Sequence, residues 1–316
     1  MSLLQSTWQL LYQSFPPTSK FGTDQIPDLS GRVCVVTGGY TGIGKETTRA
    51  LLQHNAKVYI AARSRAKAEP VLKELTTPEG NAPLFLQLDL AELASVRRCA
   101  EEFLSKETEL HILFNNGGVL ATTTDQLTAD GYDLQFGTNV LGHWYLTTLL
   151  LPALQRGARS SPDAHARIIT SSSIGHYFAS PALDWETLKD SEERRGAAAR
   201  QLYFQSKFGN VLMARELARR YADKGIISIA INPGNIKTEL YRDIPSFAFS
   251  ILNFFMLYPP SLGTLTQLYA GTMPEALEHN GAFMIPWARI GRARPEAYDP
   301  ELARRLWEWM EEQVKQ

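Results

Sequence analysis

Along the chain, short continuous apolar runs alternate with longer stretches whose apolar residues recur every three or four positions. The first run after Pro27 is "RVCVVT" at 32–37, almost free of polar residues, which predicts a strand buried on both faces of a parallel sheet. A helical pattern from about Ile43 to Asn55 follows, then a second strand, "KVYIAA" at 57–62, and a charged helix carrying Lys67, Glu69, Lys73 and Glu74. "APLFLQLDL" and "LHILFNN" predict a third and a fourth strand. A long helical pattern over roughly 132–155 leads into "ARIITSSS", the fifth strand. "RQLYFQSKFGNVLMARELARRYADKG" predicts a strong helix with Gly225 as its C-terminal cap, and "IISIAIN" and "GAFMIP" supply a sixth and a seventh strand. Such repeated strand–helix alternation predicts an α/β fold: a doubly wound, Rossmann-type parallel sheet of about seven strands with helices on both faces. Residues 1–29 read as an N-terminal extension and 30–316 as a single domain, with the polar stretch from about Asp184 to Arg200 as a surface insertion.

Two apolar stretches fall outside this alternation. In "MSLLQSTWQLLYQSFPP", Leu4, Trp8, Leu11 and Tyr12 suit one face of a short helix docked on the protein's own surface, and weak membrane association stays open. The segment lacks the basic start and small-residue cleavage site of a signal peptide. "FAFSILNFFML" at Phe247 to Leu257 is shorter than the ~20 residues that span a bilayer. It lies in a stretch, about 239–262, that reads as a lid over an apolar pocket. A cytoplasmic protein is the expectation.

Composition narrows the ligand. With 32 Lys and Arg against 33 Asp and Glu the chain has a formal net charge of -1, so nothing favours nucleic acid as a partner. The six histidines show no metal-ligand spacing, so no metal is expected, and Cys34 and Cys99 read as packed thiols rather than a disulfide.

"TGGYTGIG" at Thr37 to Gly44 leaves the first predicted strand and enters the first helix. Free backbone N–H groups and the helix dipole converge at such a place, which suits a dinucleotide pyrophosphate. Gly38 allows the tight turn, Gly42 the approach of phosphate to backbone, and Gly44 the packing of helix on sheet. The G-x-x-x-G-x-G spacing departs from the common G-x-G-x-x-G and resembles that of the short-chain dehydrogenase/reductase family. Further motifs follow in that family's order: "DL" at Asp89 and Leu90, "NNGG" at 115–118 where the family has N-N-A-G, Asn139 in "TNVLGHWYLT", Ser173 in "SSSIG", Tyr203 and Lys207 in "YFQSK", and "NPGNIKT" ending at Thr238. "GIGKET", "AARS" and "LGHWYLT" bring it nearest to retinol dehydrogenase-like and fungal NADP-dependent reductases. The resemblance covers roughly residues 30–240, and makes 30–316 a dinucleotide-binding catalytic domain.

The resemblance implies an oxidoreductase that interconverts a carbonyl and its alcohol by hydride transfer. Tyr203 would exchange the proton with the substrate oxygen, and Lys207 would bind the nicotinamide ribose. Ser173, two residues before the glycine and preferred over Ser172, would hydrogen-bond that oxygen, and Asn139 would position a water for proton relay. Gly38, Tyr40, Thr41, Gly42, Ile43, Gly44, Asp89, Leu90, Asn116, Ile236 and Thr238 would contact the cofactor along with Tyr203 and Lys207. Tyr203 and Lys207 stand four apart, on one helix face, where a lysine cation favours the phenolate. The second strand ends in "IAARSR", with no carboxylate for a ribose diol, while Arg63 can pair with a 2′-phosphate; NADP(H) is therefore expected over NAD(H). The Phe-rich segment argues for a lipophilic or aromatic substrate, that is, a carbonyl reductase. Reduction of an activated C=C bond or a quinone, and a non-catalytic NADP-sensing module, are the competing readings. A homodimer also stays open, because relatives pair through the Tyr-bearing helix and its neighbour while "PELARRLWEWMEEQV" adds a segment that could alter this.

Overall fold

The computed structural model describes residues 3–120, 122–237 and 257–315. Its centre is one sheet built from β1 (Val33–Thr37), β2 (Lys57–Ala62), β3 (Leu84–Gln87), β4 (Ile112–Asn115), β5 (Ala166–Ser171), β6 (Ile226–Ile231), β7 (Phe283–Ile285) and β8 (Arg289–Gly291). The spatial order is β3-β2-β1-β4-β5-β6-β7-β8, parallel throughout except for the antiparallel edge pair β7–β8. The eighth strand adds to the seven expected. It is short and none of its residues is fully buried, so it has no apolar run to announce it. β1 and β5 are buried at every position, as the uninterrupted runs required.

The helices are α1 (Leu3–Ser14), α2 (Gly42–Gln53), α3 (Arg65–Leu75), α4 (Leu93–Lys106), α5 (Gly142–Ser160), α6 (Ala199–Tyr221), α7 (Pro260–Thr272) and α8 (Pro300–Gln313). The pleat divides the strand residues between two cores. Val35, Tyr59, Leu113 and Ile168 meet Phe103 of α4, Leu146 and Leu150 of α5, Phe208 and Leu212 of α6 and Leu306 of α8. Cys34, Val36, Val58, Ile60 and Phe114 face Leu51 of α2, Leu75 of α3 and Leu268 of α7 on the other side. Both cysteines are free and buried, and burial pushes each thiol up to about 12. The segment that leads into α5 approaches α6 closely where Gly209 stands, since a Cβ there would lie 3.1 Å from Phe136 and from Val140.

Two surface expectations hold in outline and differ in detail, since most of the stretch 184–200 is exposed and α1 docks on the protein. Within the stretch 184–200, Thr187, Leu188 and Arg194 are buried, and Trp185 and the Arg305 guanidinium stack at 5.2 Å. Arg194 reaches Asp133 at 3.6 Å and the Gln126 carbonyl at 3.2 Å, so a charged side chain is held inside by polar partners that no local pattern displays. On α1, Trp8, Leu11 and Tyr12 point outward, and the helix docks instead through Gln13 and Ser14, each only 1% exposed. The C-terminal helix α8 lies across α5 and α6, with Trp307 5.4 Å from Trp144 and Trp309 5.9 Å from Phe136. No helix among the described residues is long and apolar enough to cross a membrane.

Two histidines in this frame are held neutral. His143 donates from Nδ1 to the Asn139 carbonyl at 3.1 Å, leaving Nε2 to accept from the Thr37 hydroxyl at 2.9 Å. His176 donates to the Ser173 carbonyl at 2.7 Å and accepts from the Arg294 amide at 3.3 Å. Burial lowers them to about 4 and about 3, from an ordinary 6.5. Below pH 6.5 the unfolded chain therefore binds protons that the folded chain refuses, and stability falls as pH drops. Unfolding near pH 5 should take up about two protons from this pair, seen as a falling melting temperature between pH 6.5 and 4.5. A melting temperature flat across that window would contradict the assignment.

Candidate active site

In an open parallel sheet the crevice opens where the strand order turns back on itself, here between β1 and β4. The carboxyl ends of these strands, with those of β2, β5 and β6, border one cleft. Its wall carries Gly38, Tyr40, Thr41, Gly42, Ile43, Gly44, Arg63, Asp89, Leu90, Asn116, Tyr203 and Lys207, all expected there, together with Ser171, Ser172 and Pro233.

The glycine loop is held tightly. Gly38 and Gly42 adopt φ of +65° and +50°, the left-handed region that a Cβ resists. A Cβ on Gly44 would stand 2.4 Å from the Gly38 carbonyl, so the first turn of α2 is pressed against the loop it follows. Thr41 precedes α2 in an extended conformation without a side-chain cap, leaving the first N–H groups of the helix to a ligand. This cradle fits a pyrophosphate.

Thr37, fully buried at the end of β1, ties the loop to the rest of the site. Its hydroxyl oxygen accepts from the Asn116 and Gly117 amides at 2.9 and 2.8 Å, and its proton goes to His143 Nε2. Asn116 returns its side-chain amide to the Thr37 carbonyl at 2.9 Å, so its polar atoms fasten β4 to β1 as well as lining the cleft. Sequence reasoning passed over His143, although it stands inside "LGHWYLT"; its signal was a polar residue in a helix otherwise apolar on that face.

On α6, Tyr203 and Lys207 lie one turn apart and both are nearly buried, with Lys207 Nζ 5.6 Å from the centre of the Tyr203 ring. Lys207 Nζ donates to the Ser171 carbonyl at 2.9 Å, which Asn210 also approaches at 3.1 Å, and the Ser172 hydroxyl donates to the Lys207 carbonyl at 2.7 Å. Three bonds thus clamp α6 to the end of β5. Burial pulls Lys207 down to about 8, and no carboxylate of the described residues pairs with it.

Three expected residues stand off the wall. Asn139, fully buried, lies in a π turn (Gly137–Leu141) that enters α5. Its side chain accepts from the Val119 amide at 2.9 Å and donates to the Val119 carbonyl and the Ser206 hydroxyl, both at 3.0 Å. Those bonds hold the loop after β4. Ser173 sits just behind the wall, its hydroxyl accepting from the Gly175 amide at 3.1 Å. Ile236 is buried and pairs with Tyr258 in an isolated bridge. Thr238, and the apolar segment as far as residue 256, lie outside the described residues. Arg63 follows the end of β2 exposed, whereas Arg65 stacks on Phe85 at 4.6 Å. No group of His, Cys, Asp or Glu among the described residues could hold a metal.

Known proteins agree with this geometry. A family model described as short chain dehydrogenase matches residues 32–182. A short-chain dehydrogenase/reductase of Armillaria gallica is 54% identical over 310 residues, covering 98% of this chain and 99% of its own. Among solved structures, an uncharacterised protein from Mycobacterium paratuberculosis superposes with a TM-score of 0.73 at 28% identity, covering 94% of this chain and 98% of its own. A Pseudomonas aeruginosa RhlG/NADP active-site complex does so with a TM-score of 0.65 at 23% identity, over 82% and 95%. With the glycine loop at the sheet's switch point and near full-length likeness to such relatives, the chain belongs to the short-chain dehydrogenase/reductase family, nicotinamide-dependent oxidoreductases acting between CH–OH and C=O groups.

Proposed function

We propose that the protein is an NADP(H)-dependent carbonyl reductase, or the corresponding alcohol dehydrogenase, acting on a lipophilic or aromatic substrate, with Tyr203 as proton donor and acceptor. The observation that carries this reading is the pairing of Tyr203 with Lys207 on one buried helix face, in the same cleft as the glycine loop. The bound nicotinamide supplies or accepts the hydride; the rest belongs to the chain. Lys207 Nζ presents positive charge beside the Tyr203 ring, favouring the phenolate and easing proton exchange at the phenolic oxygen. The Ser172 hydroxyl is committed to a backbone carbonyl, whereas the Ser173 hydroxyl accepts from Gly175 and keeps its proton to donate, which supports Ser173 as the group that orients the substrate oxygen. Asn139 acts by fixing the loop at Val119, whose neighbour Gly118 stands against Lys207. A Cβ on Gly118 would approach Asn139 Oδ1 to 2.9 Å and Lys207 Nζ to 3.8 Å.

The preference for NADP(H) rests on Arg63, exposed beside Ala62 at the rim, where no carboxylate follows the strand. The lipophilic substrate rests on the apolar composition of 247–257. The single cofactor-binding catalytic domain of 30–316, with 1–29 as an extension and 239–262 as a substrate lid, belongs to the same reading.

Three outcomes test it. Wild-type protein should consume NADPH with a panel of aromatic aldehydes and ketones, and Tyr203→Phe should lose about a hundredfold or more in kcat while still binding NADPH; intact turnover in that variant would remove Tyr203 as the proton donor. Arg63→Ala should raise KM for NADPH by about tenfold and leave KM for NADH unchanged; a parallel change in both would remove Arg63 from the selection. Because burial opposes the Lys207 charge, folding stability should rise with pH from about 8 to 10.5, where the unfolded chain holds more protons. Lys207→Met should abolish turnover, raise the melting temperature of the ligand-free protein at pH 7 and flatten this dependence; a lower melting temperature would show the charge to be stabilising as it stands.

A further inference from the structure

The N-terminal helix lies outside the stretch matched by the family, yet it ends inside the protein, against the loop that follows β6. That loop, Asn232 to Ile236, contributes Pro233 to the cleft wall at the end remote from Arg63. Gly234 holds φ of +89° there, and a Cβ on it would meet Trp287 at 3.0 Å.

The contact between helix and loop is a chain of hydrogen bonds with one direction. The Gly234 amide donates to Asn232 Oδ1 at 3.0 Å. Asn232 Nδ2, its amide therefore fixed in orientation, donates to Gln13 Oε1 at 2.8 Å. Gln13 Nε2 donates to the Tyr177 hydroxyl at 3.1 Å, and that hydroxyl donates to the Arg292 carbonyl. Gln13, Asn232 and Tyr177 are 1%, 2% and 4% exposed, so water cannot replace a lost partner cheaply. Two more bonds fasten the same seam: Asn235 Nδ2 donates to the Ser14 hydroxyl at 3.0 Å, and the Tyr258 hydroxyl to the Ser14 carbonyl at 3.2 Å.

We infer that Gln13 is a positioning residue of the cleft: the N-terminal helix sets the conformation of the loop after β6, and with it the grip on the nicotinamide half of the cofactor. The inference rests on the dinucleotide reading above for its ligand, and on this chain alone for its mechanism. Without the Gln13 acceptor, Asn232 Nδ2 is left buried and unpaired. The amide then turns or seeks water, and the Gly234 N–H loses the oxygen that holds its turn. The adenosine half of the cofactor lies against the glycine loop and Arg63, which this chain of bonds does not touch.

The test compares wild type with Gln13→Met, which keeps volume and deletes the amide, with Gln13→Glu, which keeps an oxygen facing Asn232, and with Trp8→Ala on the exposed face of α1. In ligand-free protein, hydrogen exchange of the Gly234 and Asn235 amides should quicken about tenfold in Gln13→Met, with β1 amides unchanged. Gln13→Glu and Trp8→Ala should stay within about twofold of wild type. In binding, Gln13→Met should weaken NADPH about tenfold and leave 2′-phospho-ADP-ribose, which lacks the nicotinamide, unaffected. Unchanged exchange in the loop, Gln13→Glu failing as badly as Gln13→Met, or equal loss for both ligands would each overturn the inference. Wild type that bound neither ligand would overturn the cofactor reading alone, since the exchange measurement needs no ligand.

Discussion

The site depends on the Thr37 hydroxyl more than on any other atom. It stands at the point where β1 and β4 diverge, and three groups converge on it from separate elements: two amides from the loop after β4 and His143 from α5. A hydroxyl can accept twice and donate once, and this one does all three. The glycine loop leaves the same residue, so the phosphate cradle and the Asn116–Val119 loop are set by one side chain. Through His143 the constraint continues to the Asn139 carbonyl in the π turn, and through the Asn139 side chain back to Val119. The circuit closes, and it works only with a neutral imidazole: a proton on Nε2 would bring a third donor to an oxygen already full. That is the structural reason burial can hold His143 so far below its ordinary value.

Lys207 shows the opposite economy. Its ammonium donates to the Ser171 carbonyl and has no counter-charge among the described residues, a state that desolvation makes costly. Structural lysines are normally left at the surface. In the proposed mechanism, one held inside, fixed by a clamp that also immobilises Tyr203, stabilises the phenolate at the expense of the fold, as sites that store strain or charge do elsewhere.

Much of this was legible in the sequence, and the boundary of legibility has a physical form. β1, with its five buried residues, β5 and β6 announce themselves because a strand covered on both faces has no position for a polar residue. The glycine loop is legible because backbone conformations that exclude a Cβ leave only one residue type. Tyr203 and Lys207 are legible because helical spacing brings them together. What could not be read is every pairing that spans the fold. Arg194 sits in a charged stretch that looks solvated, and only Asp133 and Gln126, from a different part of the chain, make it an interior residue. The bonds of the Asn139 side chain to the carbonyl and amide of Val119, twenty residues away, are equally silent in the sequence. That the Ser172 hydroxyl, and not that of Ser173, reaches the Lys207 carbonyl is likewise a contact no local pattern encodes.

Gln13 is the extreme case of that boundary. Locally it is one of several glutamines in an amphipathic helix whose apolar residues promise the docking face, and the helix does the reverse. Trp8, Leu11 and Tyr12 stay outside because the helix is oriented by its last turn, where Gln13 and Ser14 satisfy polar groups of Asn232, Asn235 and Tyr258. Apolar contact is non-directional and could have been met by rolling the helix over; a line of amides with one donor sense cannot. An extension attached by polarity rather than by greasy contact is thereby tied to one loop in one conformation, which is what a segment needs if it is to shape a binding site instead of merely covering it.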